Sequence, residues 1–133
     1  MITLKELNPN GYPLTKVQED NLSRLFYAMN EIRKQYGKPM IVTSGVRSLE
    51  DQTRIDACRI VGGKKAGPRL GSAHLQAAAC DVWDREGTLW RFVRDNLKLM
   101  EQLGVYLEDR SKTPTWCHFQ ILRPKSGNRI FLP

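Results

Sequence analysis

The chain has 133 residues, 41% hydrophobic and 26% charged, enough for one globular domain with a real core and too few for two. No apolar run approaches the roughly 20 residues of a membrane span, and neither low complexity nor an internal repeat is visible, which excludes membrane-spanning, fibrous and solenoid classes. Lys and Arg outnumber Asp and Glu by 21 to 14, a net charge of +7, so an anionic partner is expected, the bacterial envelope or nucleic acid.

The opening segment to Pro13, with Asn8-Pro9-Asn10-Gly11, reads as loop from its turn residues. A helix starts at Thr15, where Thr15-Lys16-Val17-Gln18 is a capping box. Leu22, Leu25, Phe26, Met29, Ile32 and Tyr36 then recur at helical spacing until Gly37 and Pro39 end the run. Met40-Ile41-Val42-Thr43 predicts a short strand leading into Ser44-Gly45-Val46-Arg47-Ser48. Ser48 caps a second helix running to about Val61, with Asp51 near its positive end and Gly62-Gly63 as its stop. Gly63 to Gly71 is a glycine-rich basic connector holding Lys64, Lys65 and Arg69.

The next stretch, Ser72-Ala73-His74-Leu75-Gln76-Ala77-Ala78-Ala79-Cys80-Asp81-Val82, carries one of the chain's two histidines; the other is in Trp116-Cys117-His118-Phe119-Gln120. Two imidazoles and a carboxylate are the composition of a metal site with a position open for water. On one helix, His74 and Asp81 would be separated by roughly 10 Å of rise, too far for one ion. On one straight strand, positions seven apart face opposite ways. The chain is therefore expected to turn after His74 and to return as a strand through Ala79-Cys80-Asp81-Val82.

Asp84-Arg85-Glu86-Gly87 then turns the chain, and Thr88 is the expected cap of a third helix whose apolar face is Leu89, Phe92, Val93, Leu97, Met100 and Leu103, with Gly104 as its stop. Val105 to Asp109 and Trp116 to Leu122 predict two strands joined by a loop from Arg110 to Pro114, the second antiparallel to the first. Pro124 to Asn128 turns into Arg129-Ile130-Phe131-Leu132. The expected fold is a single α+β domain over residues 1–133, a small antiparallel sheet packed with about three helices.

Strand alternation assigns the faces. Trp116, His118 and Gln120 share one side; Cys117, Phe119 and Ile121 face the core. The three cysteines, Cys58, Cys80 and Cys117, form no CxxC pair, and free buried thiols are the expectation. On the preceding strand Val105 and Leu107 face the core, so Tyr106 and Glu108 look toward the metal side; Glu108 is the first choice of general base, with Asp109 as the alternative if the strand bulges. Zinc held by His74, Asp81 and His118 would activate water for amide hydrolysis. Arg47 would stabilise the oxyanion or clamp a carboxylate, and Ser72, Gln120 and Trp116 would support or bind substrate.

In order and spacing, Ser44-Gly45-Val46-Arg47-Ser48, then Ser72-Ala73-His74 through Asp81, then Trp116-Cys117-His118 resemble the S-G-Y-R-S, S-x-H-x-x-G-x-A-x-D and W-x-H motifs of zinc D-alanyl-D-alanine carboxypeptidases. That family includes van-type dipeptidases and phage L-alanyl-D-glutamate endolysins and shares its fold with the hedgehog signalling domain. The resemblance covers about residues 39–122. It implies zinc on His74, Asp81 and His118, Arg47 near the scissile bond, and peptidoglycan stem peptides as substrate. Two positions depart from the pattern. Ala77 replaces the usual glycine, a change without cost if the backbone there has negative φ, and Thr115 stands where many members carry an acid three residues before the last histidine. A variant form, Y-L-E-D followed by W-x-H-x-Q, is similar to small phage-encoded members and puts the acid at Glu108.

The expected activity is therefore a zinc peptidase of the endolysin or carboxypeptidase type. The alternative is a zinc-containing binding module without turnover. Expected partners are peptidoglycan peptide and the anionic envelope, with no specific nucleic acid and a monomeric chain. The N-terminus lacks a signal-peptide pattern, so the expectation is synthesis in the cytoplasm and action on the wall after release or within a phage particle.

Overall fold

The structure, a computed structural model, describes residues 1–51 and 72–133. Among these are helices α1 (Leu4–Leu7), α2 (Lys16–Tyr36), α3 (Thr88–Arg94) and α4 (Leu97–Leu103). Strands β1 (Val42–Ser44), β2 (Ala79–Trp83), β3 (Tyr106–Glu108), β4 (Trp116–Gln120) and β5 (Ile130–Phe131) form one sheet in the order β1-β2-β4-β3-β5. The fold is α+β. All pairings are antiparallel except β3 with β5, which run parallel, so the expected antiparallel sheet carries one parallel edge.

Helix α2 forms where its sequence pattern puts it. Thr15 accepts from the Gln18 N–H, the Gln18 side chain answers the Thr15 N–H, and Gly37 closes the helix in the left-handed region at φ 74°. Its stripe of Leu22, Leu25, Met29 and Ile32 is buried with Cys80, Val82, Leu107, Cys117 and Phe119 from one face of the sheet. Removing that apolar surface from water is the main stabilising term. The opposite face of the sheet is left to build the site.

Three local expectations change. The opening segment is not all loop: Thr3 and Glu6 form a reciprocal capping box around α1. The third helix does not run unbroken, because the Asn96 side chain takes the Phe92 carbonyl at 2.7 Å and the chain restarts as α4. Thr88 does not cap α3. Gly87 holds that position at φ 75°, and the Asp84 carboxylate accepts from the Leu89 and Trp90 N–H groups at 3.1 and 2.9 Å.

Asp84 also pairs with Arg110 at 3.2 Å, and the guanidinium reaches the Asp84 carbonyl at 2.6 Å. Trp90 Nε1–H donates to the Glu108 carbonyl at 3.1 Å. These bonds tie the β3–β4 loop and the end of β3 to the start of α3, and so brace the backbone that presents Glu108. Cys80 and Cys117 are buried on the core side, and the Cys117 thiol donates to Asp84 at 3.3 Å. Ser48 caps a helix that begins at Leu49, its hydroxyl accepting from the Asp51 N–H at 3.1 Å. The expected continuation of that helix to about Val61, Gly62-Gly63, the basic connector through Gly71, and Cys58 lie outside the described residues.

Candidate metal centre

One rung across the sheet lines up most of the candidate side chains. Ser44 on β1 is opposite Asp81 on β2, Asp81 is opposite His118 on β4, and Glu108 on β3 is opposite Phe131 on β5. The β3–β4 register, Leu107 with Phe119, sets Glu108 level with His118 one step further along. Alternation points these side chains away from the helices. His74 joins from outside the sheet.

It does so through a tight turn over residues 72–78, in which Leu75 donates to Ser72, Gln76 and Ala78 to Ala73, and Ala77 to His74. Two α2 side chains hold it: Gln18 donates to the Leu75 carbonyl at 2.8 Å and Asn21 to the Gln76 carbonyl at 3.0 Å. Helix α2, besides packing the core, thus also anchors the site. Ala77 takes φ 56°, so the condition under which an alanine there would be free of cost is not met. The left-handed backbone costs about 1–2 kcal/mol, partly offset by about 0.8 kcal/mol from its fully buried methyl.

The hydrogen bonds select the imidazole tautomers. His74, 3% exposed, donates from Nδ1–H to the Gly45 carbonyl at 2.8 Å, which leaves the Nε2 lone pair facing Asp81 Oδ1 at 3.4 Å. Gln120 donates its amide N–H to the Leu122 carbonyl at 2.7 Å, so its Oε1 accepts from His118 Nε2–H at 2.9 Å. His118 Nδ1 then faces the same Asp81 oxygen at 2.9 Å. Three electron-rich atoms, all within 4.8 Å of one another, converge with their other sides already bonded. Such a cluster requires a proton or a cation between its members, and two neutral imidazoles with one carboxylate suit a divalent ion. Arg47 completes the support: Nη2–H donates to Asp81 Oδ2 at 3.3 Å and Nε–H to Ser44 Oγ at 3.1 Å.

Gly45 is required by space. A Cβ there would lie 2.0 Å from the Leu7 carbonyl oxygen, which accepts from the Val46 N–H at 2.7 Å. Gly45→Ala is expected to displace the carbonyl that orients His74 and to weaken zinc binding about 10- to 100-fold, measured by titration against a competing chelator.

Without an ion, the surroundings of the cluster favour a proton on His118. Burial opposes charge on Asp81, but the hydrogen bonds and charges of His118 and His74 prevail and hold its carboxyl well below the usual range. Burial lowers His74. It opposes charge on His118 as well, yet the bond to Asp81 overrides it and raises that imidazole above 6.5. The signs separate the two histidines. His118 contributes stability that is fully present below pH 6.5 and lost as pH rises through its raised value. His74, depressed, loses stability only as pH falls below 6.5, and Asp81 only as pH falls below 3.8. In chelator, the urea midpoint is therefore expected to fall as pH rises above 6.5, and His118→Gln to remove that fall.

The cluster sits in a cleft of about 730 Å³. Arg47, Ser72, Glu108, Trp116 and Gln120, all expected at the site, line it, together with Phe131, Lys112 and Lys125. Asp109 does not line it. Its carboxylate accepts from the Ser111 N–H and hydroxyl at 3.0 and 2.7 Å, bonds that lower its pKa. Thr115 is exposed and likewise outside the lining. Sequence reasoning missed the Gly45 carbonyl, although its glycine lay within a motif already singled out. It also missed the two lysines, which no local pattern marks.

A family model described as Peptidase M15 matches residues 12–113, a span that takes in Arg47, His74, Asp81 and Glu108 and stops short of His118. No curated protein and no solved structure matches the chain.

Proposed function

The chain belongs to the Peptidase M15 family, and from that membership we propose a zinc-dependent hydrolase of amide bonds in peptidoglycan stem peptides, of the endolysin or D-alanyl-D-alanine carboxypeptidase type. The convergence of His74, Asp81 and His118 at the floor of a cleft that also holds Glu108 is the observation that carries this reading. Manganese or nickel could use the same ligands; imidazole and carboxylate donors in a four-coordinate set favour zinc.

When bound, the metal supplies Lewis acidity, which lowers the pKa of water and polarises a carbonyl. The protein's own groups do the rest. Gly45 and Gln120 keep both imidazoles in the ligating tautomer, and Arg47 holds the Asp81 carboxylate in place. Glu108 takes the proton of the attacking water and returns it to the leaving amine. Where its guanidinium faces the cleft, Arg47 also offers positive charge to the developing oxyanion. Ser72 and Trp116 contact the peptide on the cleft walls.

The net charge of +7 supports an anionic wall as the working surface, and no helix among the described residues is long and apolar enough to cross a membrane. Action on the wall after release, or from a phage particle, is the setting we infer, with the chain as a monomer. The test is digestion of purified peptidoglycan by zinc-loaded protein, with released amino groups and fragment masses recorded. New amino termini that disappear with chelator and return with zinc support the proposal, and the masses name the bond. Stoichiometric zinc with no cleavage of several wall chemotypes would instead establish the alternative of a zinc-containing binding module.

A further inference from the structure

The strand that carries His118 at its centre has a lysine near each end. Lys112 lies in the loop entering β4 and Lys125 in the loop leaving it, and both line the cleft. Both side chains are exposed, and neither forms an ion pair among the described residues. Lys112 is close enough to Asp109 to contribute to its lowered pKa, but that carboxylate is already bonded to Ser111. Solvated lysines are common. What separates these two is that both line the cleft that holds the rung, one from the loop entering β4 and the other from the loop leaving it.

β4 has five residues, so its ends stand about 13 Å apart, with His118 midway. A lysine stem spans roughly 6 Å, and an extended peptide advances about 3.4 Å per residue. Two ammonium groups reaching into one cleft from the loops at the two ends of β4 can meet groups within about two residues of the central amide, one on the acyl side and one on the amine side. We propose that Lys112 and Lys125 form two carboxylate subsites flanking the scissile amide, so that the preferred peptide carries a free carboxylate on each side of the bond. This rests on the hydrolase reading above. It narrows the substrate to acidic stem peptides and predicts discrimination against walls whose carboxylates are amidated.

The probes are a synthetic stem peptide with all carboxylates free, two versions amidated at one carboxylate each, and a fully amidated version. Binding is measured by calorimetry on the zinc-loaded Glu108→Gln protein, which isolates affinity from turnover, and kcat/KM on the otherwise wild-type enzyme. Lys112→Met and Lys125→Met are each expected to weaken binding of the free-acid peptide about fivefold, through KM rather than kcat. Each loss should vanish against the peptide amidated at the matching carboxylate. Equal affinity for free and fully amidated peptide, or lysine effects that persist on amidated peptide, would overturn the subsites. Failure of the hydrolase reading looks different: binding follows the lysine pattern while no peptide is cut. Cleavage indifferent to amidation removes the subsites and leaves the hydrolase standing.

Discussion

Glu108→Gln is expected to slow amide hydrolysis by about 10²- to 10⁴-fold while zinc stays bound at full stoichiometry. The substitution keeps the size of the side chain and removes only its capacity to take a proton. Glu108 lies level with His118, near enough to contribute to raising its pKa, but it is not one of the three converging donors. The acid on its own strand end offers no substitute, because Asp109 is bonded to Ser111 and turned out of the cleft. Asp109→Asn should accordingly change the rate by less than about twofold, the size expected of a surface substitution. Initial rates on one wall preparation, with zinc quantified in the same samples, decide the matter. An unimpaired Glu108→Gln enzyme would remove this residue as the base.

Asp81→Asn should strike the metal itself. The carboxylate is the shared focus of both imidazoles and of Arg47, and its charge is what a divalent cation gains over a neutral amide. Loss of a group that hydrogen-bonds a metal ligand costs roughly 10- to 100-fold in metal affinity, so loss of this proposed ligand is expected to exceed 100-fold. Activity at ordinary zinc levels should disappear with it. Chelator competition followed by elemental analysis gives the affinity. Retention of tight stoichiometric zinc by Asp81→Asn would mean that the donors are other than those proposed. Excess zinc should restore part of the hydrolysis by Asp81→Asn and none of that lost in Glu108→Gln, which distinguishes a ligand from a base.

Local chemistry made much of this molecule readable. Thr15, Gln18 and Gly37 bound α2 because capping and left-handed termination involve neighbours in sequence. The turn after His74 and the return through Asp81 followed from the impossibility of meeting one ion along a single helix or strand. Alternation alone chose Glu108 over Asp109 and sent Cys80 and Cys117 into the core. The break at Asn96 was harder to see, because it depends on a side chain competing for one backbone carbonyl within an otherwise helical pattern. The α1 capping box, Thr3 with Glu6, was legible and was masked by the turn residues that follow it.

By itself, then, the sequence determined the class of fold and singled out His74, Asp81, His118 and Glu108 as the candidate site, because spacing, period and residue type are local properties. Only the tertiary structure decided how those side chains are oriented toward one another. The Gly45 carbonyl reaches His74 across 29 positions, and Gln18 and Asn21 brace its turn from 57 and 55 positions away. The parallel edge of the sheet and the pairing of Asp84 with Arg110 belong to the same category. So does the placement of Lys112 and Lys125 about one cleft. Each depends on where backbone groups and loops arrive once the core has closed, which no periodicity in a single stretch can encode.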